Sequence, residues 1–317
     1  MLSQPRYQLF RLLGEPQRLR LLGLAAIDEL SVGELAELLQ ESQPNVSKHV
    51  HLLRQAGLLL DRHQGTRVYV RLSDGAREDA VVSDAISEGQ RLCGDTATRE
   101  HVAEIIASRD QRSRAYFAAQ AIGESDIDTT PHVPVYAMAL ALMRPTTGMA
   151  LDAGTGDGGL LDLLAPSYGS VVAVDRSPAQ LAKASARVTR RGFTKVRLEC
   201  TDVEGDDLRT SEGETVNAIF ASRMLHHTAN PRVMLQSFAS LLAPQGRVCI
   251  IDYVTHDDER MREQRADVWM GFDEAELRGL LRQAGFARIE FRAVPNGYIS
   301  PGFDAHIPWF VAIAQRP

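Results

Sequence analysis

The chain has 317 residues, of which 44% are hydrophobic and 24% charged, with a formal net charge of −6. That profile fits about two ordinary globular domains, and no apolar run approaches the ~18 residues of a membrane span. Cys93, Cys200 and Cys249 are isolated and odd in number, which argues against a disulfide framework or a Cys-rich zinc site and fits a cytoplasmic protein.

The opening MLSQPRYQLFRLLG lacks a long apolar core and a small-residue cleavage site, so no signal peptide is read there. Leu9, Leu12, Leu13, Leu19, Leu22 and Ile27 then recur at helical spacing, broken at Gly14 and restarted at Pro16. In SVGELAELLQ, Ser31 and Glu34 stand three apart, the spacing of a capping box, with Leu35, Leu38 and Leu39 facing inward. In SQPNVSKHVHLLRQAGLLL, Ser42 is placed to cap a helix with Pro44 in its first turn. Val46, Val50, Leu53 and Gly57 share one face. Ser47, Lys48, His51 and Arg54 lie on or beside the other, with Gln43 and Asn45 at the N-terminal end.

A polar, cationic helix closely preceded by a short one is the pattern of helix-turn-helix, whose second helix presents side chains to base edges. LLLDRHQGTRVYVRLS reads as strand, turn at Gly65 and strand. This is a wing from which Arg62, His63, Thr66 and Arg67 are expected to reach backbone phosphate or the minor groove. Residues 42–71 carry Lys48, Arg54, Arg62, Arg67 and Arg71 against Asp61 alone. A basic patch of this kind matters more for nucleic acid than the acidic total.

Across residues 5–74 these elements resemble the ArsR-type winged-helix repressors. The resemblance implies double-stranded DNA as a partner and a homodimer built from the helices before the winged core and after the wing. Some such repressors bind metal through a Cys-x-Cys pair before the recognition helix, and others through Asp and His on the last helix. SVGELAELL has no cysteine and REDAVVSDAISEGQRLCG no histidine, so metal sensing at either place is not expected. Cys93 reads as a packed thiol near a dimer seam.

Residues 76–145 read as exposed helices with an excess of acids, closed by a hinge at ESDIDTTPHVPV with its two prolines. Tyr116 and Phe117 lie just ahead of the next domain. They either pack against it or help to cover its ligand site.

TGMALDAG is an apolar strand that ends in Asp152 and opens a glycine turn, LDAGTGDGG, with Gly154, Gly156 and Gly159 in G-x-G-x-x-G spacing. GGLLDLLAP follows as helix, and VVAVD as a second strand tipped by Asp175, a carboxylate placed to accept from two ribose hydroxyls. A nicotinamide cofactor and S-adenosylmethionine (SAM) fit equally to this point. Asp152 beside the loop and Asp157 within it disfavour a diphosphate and suit the cationic methionine end of SAM. KVRLECTD places Asp202 and Val203 at the end of a third strand, where adenine would lie. NAIFASRMLHH and LLAPQGRVCIIDYV supply strands four and five.

The run over residues 148–255 resembles the class I SAM-dependent methyltransferases, especially the small-molecule group with an LHH-type sequence after strand four. The resemblance implies a Rossmann-like α/β domain with a seven-stranded, mostly parallel sheet. It also implies a SAM site lined by Asp152, Gly154, Gly156, Asp175, Asp202 and Val203, with S-adenosylhomocysteine as product. Together the halves resemble ArsR-type regulator–methyltransferase fusions, a likeness that HDDERMREQRADVWMGFDEAELRGLLRQAGF narrows further.

His226 and His227 follow strand four, where an open α/β sheet puts its ligand crevice. They are catalytic candidates, as a base or to orient substrate, or else they pack or cap the next helix. His256, Asp257 and Asp258 read as a solvated loop, and no metal site is expected. Arg262, Trp269 and Phe272 are placed in a lid, and Cys200 and Cys249 in the core.

The expected organisation is thus residues 1–75 winged helix, 76–145 helical dimerisation segment and 146–317 methyltransferase. The expected function is a DNA-binding regulator that carries SAM-dependent methyl transfer to a small molecule. The alternatives are a SAM sensor without turnover, or a small-molecule O-methyltransferase that uses its winged helix only to dimerise.

Overall fold

The computed structural model describes residues 6–65, 67–73, 75–119, 132–145, 147–203 and 215–317, the side chains of 95–97 excepted. Thr66 and most of the ESDIDTTPHVPV hinge lie outside the described residues. The chain divides into two compact units, Met1–Ser108 and Arg109–Pro317. The division falls inside one helix, within the 76–145 segment.

The first unit contains α1 (Arg6–Leu13), α2 (Pro16–Ala25), a two-residue β1 (Leu30–Ser31), α3 (Val32–Leu39) and α4 (Gln43–Gln55). The hairpin β2 (Leu59–Gln64) and β3 (Arg67–Leu72) follows, then α5 (Ala80–Leu92) and the start of α6 (Asp95–Ala119). The capping box forms as its spacing predicts: Glu34 N donates to Ser31 Oγ at 3.2 Å, and Ser31 N to Glu34 Oε2 at 2.6 Å. Ser42 occupies the N-cap position of α4 without a side-chain cap bond. Val46, Val50 and Leu53 turn into the core with Leu22, Leu24 and Leu35, each burial contributing about 1.5–3 kcal/mol.

Gly65 turns the wing at φ 59°. Leu30 pairs with Val70 and Ser31 with Tyr69, so the wing gains a third strand. α2 crosses α5 at two glycines: a Cβ on Gly89 would lie 1.8 Å from Leu19 O, and one on Gly23 would lie 2.6 Å from Gln90 N. Neither contact is visible in local sequence pattern.

The second unit is an α/β domain. Its strands are β4 (Met149–Ala153), β5 (Ser170–Asp175), β6 (Val196–Cys200), β7 (Val216–Ser222), β8 (Leu242–Tyr253), β9 (Ala287–Ala293) and β10 (Trp309–Gln315). They form one seven-stranded sheet in the order β6-β5-β4-β7-β8-β10-β9. β10 runs antiparallel to both its neighbours, and the other pairings are parallel. The intervening helices are α7 (Val133–Met143), α8 (Leu161–Ser167), α9 (Pro178–Arg191), α10 (Pro231–Leu241), α11 (Glu259–Arg265) and α12 (Glu274–Gln283). The central strands are continuously apolar because both sheet faces are covered. Strand order reverses between β4 and β7, so a crevice opens at their C-terminal ends. No helix among the described residues is long and apolar enough to cross a membrane.

Two expectations fail here. Cys200 is exposed rather than in the core, because β6 is an edge strand with one flank open; Cys249, on β8, is buried. Arg262, Trp269 and Phe272 do not form a lid. They are 6%, 1% and 0% exposed, and Trp269 Nε1 donates to Thr228 O at 2.7 Å.

Candidate functional site

In the first unit, Gln43, Ser47, Lys48 and His51 are exposed on α4, and Arg67 at the wing tip is exposed as well. Asn45 is half-buried and donates to Glu41 Oε2 at 3.0 Å. Arg54 is half-buried and pairs with Asp61 at 2.5 Å. Arg62 overturns its expectation. Its side chain is only 4% exposed and meets Glu29 at 3.1 Å. Strand alternation puts Arg62 and Gln64 on the inner side of β2, and Asp61 and His63 outside. Among the cations proposed for DNA contact, Lys48 and Arg67 are exposed and Arg54 is half-buried.

In the second unit, the crevice between β4 and β7 is a cavity of about 620 Å³, within the range that holds small-molecule ligands. Asp152, at the tip of β4, is 2% exposed and accepts a hydrogen bond from Thr155 Oγ1 at 2.6 Å. Burial pushes its pKa up to about 7 despite that bond. Gly154 and Gly156 adopt φ 69° and 57°, a region L side chains rarely enter. A Cβ on Gly154 would strike Met224 Cγ at 2.8 Å, whereas Gly156 has open space beside it, so a ligand can approach its backbone. The third left-handed glycine is Gly158, at φ 79°, where the turn closes on Ala184 of α9. Gly159, the third glycine of the linear motif, instead donates its N–H to Asp157 Oδ1 at 3.1 Å.

Asp175, at the tip of β5, accepts from Gly156 N at 2.9 Å and from Ser177 N at 2.8 Å. Its pKa is raised, burial outweighing those two bonds. A carboxylate has about four acceptor positions, so acceptor capacity remains for a ligand. Asp202 also lines the cavity, where its carboxylate meets Arg114 at 2.6 Å; Val203 beside it is 3% exposed.

The second half of α6 forms part of the cavity wall, a role that local pattern left open. Arg114 and Arg176 both pair with Asp110, and Arg176 donates to Ser113 Oγ at 3.0 Å. Arg265 donates to Tyr116 OH at 2.9 Å, and the Phe117 and His227 rings pack edge to face with centroids 4.7 Å apart.

Beside the glycine turn, where Met224 packs on Gly154, the Leu225–His227 turn brings both histidines to the cavity. His226 Nδ1 lies 2.6 Å from Asp252 Oδ1, and its backbone N–H donates to Asp252 Oδ2 at 3.2 Å. Its Nε2 lies 3.7 Å from Asp267 Oδ1, and His227 Nδ1 lies 3.8 Å from the same oxygen. Val268 N and Trp269 N both donate to His226 O at 3.0 Å, stapling the two segments together. Burial alone would lower the His226 pKa, but Asp252 and Asp267 raise it; burial and His226 hold that of His227 well below the usual value. Local pattern missed Asp252, a lone acid in an apolar strand, and Asp267, whose role depends on a loop folding back. By contrast His256 and Asp258 do not converge on this site: Asp258 pairs with Arg260 and His306.

Residues 7–62 match the helix-turn-helix domain family, and residues 135–290 match the methyltransferase domain family. The arsenical resistance operon repressor of Escherichia coli (strain K12) is 49% identical over 67 residues, 21% of this chain and 57% of its own length. The arsenic resistance transcriptional regulator ArsR1 of Pseudomonas putida is 37% identical over 93 residues, 28% of this chain and 73% of its own. The ubiquinone biosynthesis O-methyltransferase of Xanthomonas axonopodis pv. citri is 29% identical over 139 residues, 42% of this chain and 56% of its own. The chain thus spans a little over half the length of the first and third of these.

Among solved structures, N-methyltransferase NodS from Bradyrhizobium japonicum WM9, in complex with S-adenosylhomocysteine, has a TM-score of 0.51 at 15% identity, covering 65% of this chain and 99% of that one. A chain from the complex between the Haloferax volcanii Trm112 methyltransferase activator and a methyltransferase has a TM-score of 0.54 at 20% identity, covering 63% of this chain and 97% of that one. These likenesses establish the fold of the second unit. The chain belongs to the ArsR-type helix-turn-helix regulators, joined in one polypeptide to a class I, Rossmann-like methyltransferase domain.

Proposed function

We propose that this protein is a dimeric, DNA-binding regulator whose second domain binds SAM and transfers its methyl group to a small molecule. The observation that carries the reading is the placement of Asp152, Asp175 and Asp202 around one glycine turn, in a cavity at the strand-order reversal. Three carboxylates repel a diphosphate and suit an adenosine joined to a cationic amino acid. Asp175 would hold the ribose hydroxyls, Asp152 the methionine end, and Asp202 with Val203 the adenine. When bound, SAM supplies a methyl group on a sulfonium, already activated toward a nucleophile. The domain's own work is then to orient the acceptor and exclude water, with His226 and His227 at the acceptor's end of the cavity.

DNA binding is supported by the exposed Gln43, Ser47, Lys48 and His51 on α4 and Arg67 on the wing. A module used only to dimerise has no need of them. Calorimetry with SAM, S-adenosylhomocysteine and NAD⁺ tests the pocket, and uptake of NAD⁺ without SAM defeats the reading. Labelled SAM with cell extract tests turnover: label moving to a small molecule supports transfer, and SAM binding with no label transfer leaves a sensor. Absence of DNA binding at low salt would leave a methyltransferase with a structural N-terminal domain.

A further inference from the structure

The His226–His227–Asp267 group has features that acceptor positioning alone does not explain. Asp267 is 2% exposed, and neither of its carboxylate oxygens has a hydrogen-bond partner among the described residues. A buried carboxylate left in that state is costly. His227 Nδ1 likewise has no partner among the described residues. Both imidazole nitrogens stand 3.7–3.8 Å from one Asp267 oxygen, too far for hydrogen bonds. The ligand atoms of the three residues all lie within 4.8 Å of one another. A cation with bonds of about 2.0–2.2 Å would draw each nitrogen closer to the Asp267 oxygen than it now stands.

The surroundings suit such an ion. Asp252 is fully buried and accepts from Tyr253 N at 2.8 Å as well as from the His226 backbone. With its carboxylate on Nδ1, the proton of a neutral His226 is held there and the Nε2 lone pair turns toward Asp267. Metal-binding histidines are habitually oriented in this way by a carboxylate on the far nitrogen. Two imidazoles and one carboxylate suit first-row divalent ions such as Zn²⁺, Fe²⁺, Co²⁺ or Mn²⁺ and leave coordination positions free. Those positions face the cavity, since all three residues line it.

We propose that His226 Nε2, His227 Nδ1 and Asp267 bind a divalent transition-metal ion that ligates the oxygen of a hydroxyl-bearing methyl acceptor. The ion's part in catalysis rests on the methyltransferase reading; the site itself does not. Ligation would make the acceptor hydroxyl more acidic, and its proton would pass to water. The oxygen then forms its bond to the methyl carbon as the carbon–sulfur bond breaks, and the bonding pair stays on sulfur. No oxidant or reductant is required.

The test uses untagged full-length protein, stripped with chelator and titrated with Co²⁺, with visible absorption and metal stoichiometry as readouts. One Co²⁺ per chain is expected, displaced by Zn²⁺. His227→Ala and Asp267→Asn abolish the absorption, and Asp252→Asn weakens Co²⁺ binding about 10–100-fold. SAM calorimetry on the same His227→Ala and Asp267→Asn proteins is expected to be unchanged and reports that the domain is folded. Wild type that binds SAM but takes up no more Co²⁺ than Asp267→Asn overturns the proposal and leaves Asp267 as a hydrogen-bonding group for the acceptor. Co²⁺ binding without SAM binding sustains the site while defeating the methyltransferase reading.

Discussion

The two units use charge in opposite ways. On α4 and the wing, the side chains suited to a partner are exposed, and the charged ones are cationic, as Lys48 and Arg67 are. Around the cavity, Asp152, Asp252 and Asp267 are buried carboxylates. A hydrated surface cation acts on a polyanion at long range, and salt weakens it. A buried carboxylate acts at contact, its proton affinity is altered by burial, and salt screens it much less. Perturbations of the two units should therefore differ in kind.

The largest effect is expected at Asp175. Asp175→Ala removes the acceptor proposed for the ribose hydroxyls and orphans the N–H groups of Gly156 and Ser177. At about 1.5–3 kcal/mol per charge-assisted bond, SAM binding should weaken at least about 100-fold by calorimetry.

Next comes pH. The carboxyl of Asp152 is raised to about 7 by burial, and a cationic ligand requires its ionised form. SAM affinity should rise up to about tenfold per unit as pH climbs toward 7 and then level off, with Asp152→Asn flattening the profile. The sign for stability is opposite. Between the usual 3.8 and about 7, the folded state holds more proton than the unfolded, so this group removes stability as pH rises.

A sharper comparison lies within the first unit. Lys48→Ala should weaken DNA binding several-fold and reduce the log–log salt dependence by about one ion. Arg62→Ala should lower the melting temperature, because it removes a buried side chain and its ion pair with Glu29, while leaving the salt dependence unchanged. If Arg62→Ala reduces the salt dependence as Lys48→Ala does, the inward placement of Arg62 is wrong.

The smallest effect is expected at Arg114, whose contact with Asp202 would compete with adenine in the proposed site. Its partly exposed pairing is worth about 0.2–1 kcal/mol, so Arg114→Ala should tighten SAM by a factor of about 1.5–5, again by calorimetry.

Much of this was legible in linear order. The capping box at Ser31 and Glu34, the wing turn at Gly65 and the apolar run ending in Asp152 are short-range patterns in which neighbouring residues determine one another's geometry. Misreadings arose where the deciding neighbour was distant. Arg62 reads as a wing cation until β2 is given its register against β3 and Glu29. Cys200 reads as core until β6 is placed at the sheet edge. Gly159 completes the linear motif, but packing against Ala184 puts the left-handed turn at Gly158.

The sequence alone determined the two domain types, the strand-tip carboxylates and the cationic recognition helix, because periodicity, capping and turn chemistry act over a few residues. Tertiary structure decided which cations face outward, that the end of α6 lines the cavity, and that Asp252 and Asp267 meet the two histidines. Those relations join residues far apart in the chain: His226 and Asp267 stand 41 positions apart, and Tyr116 and Arg265 stand 149 apart. Only the closing of the sheet and the stapling of the 266–269 loop to His226 bring their charges within a few ångströms.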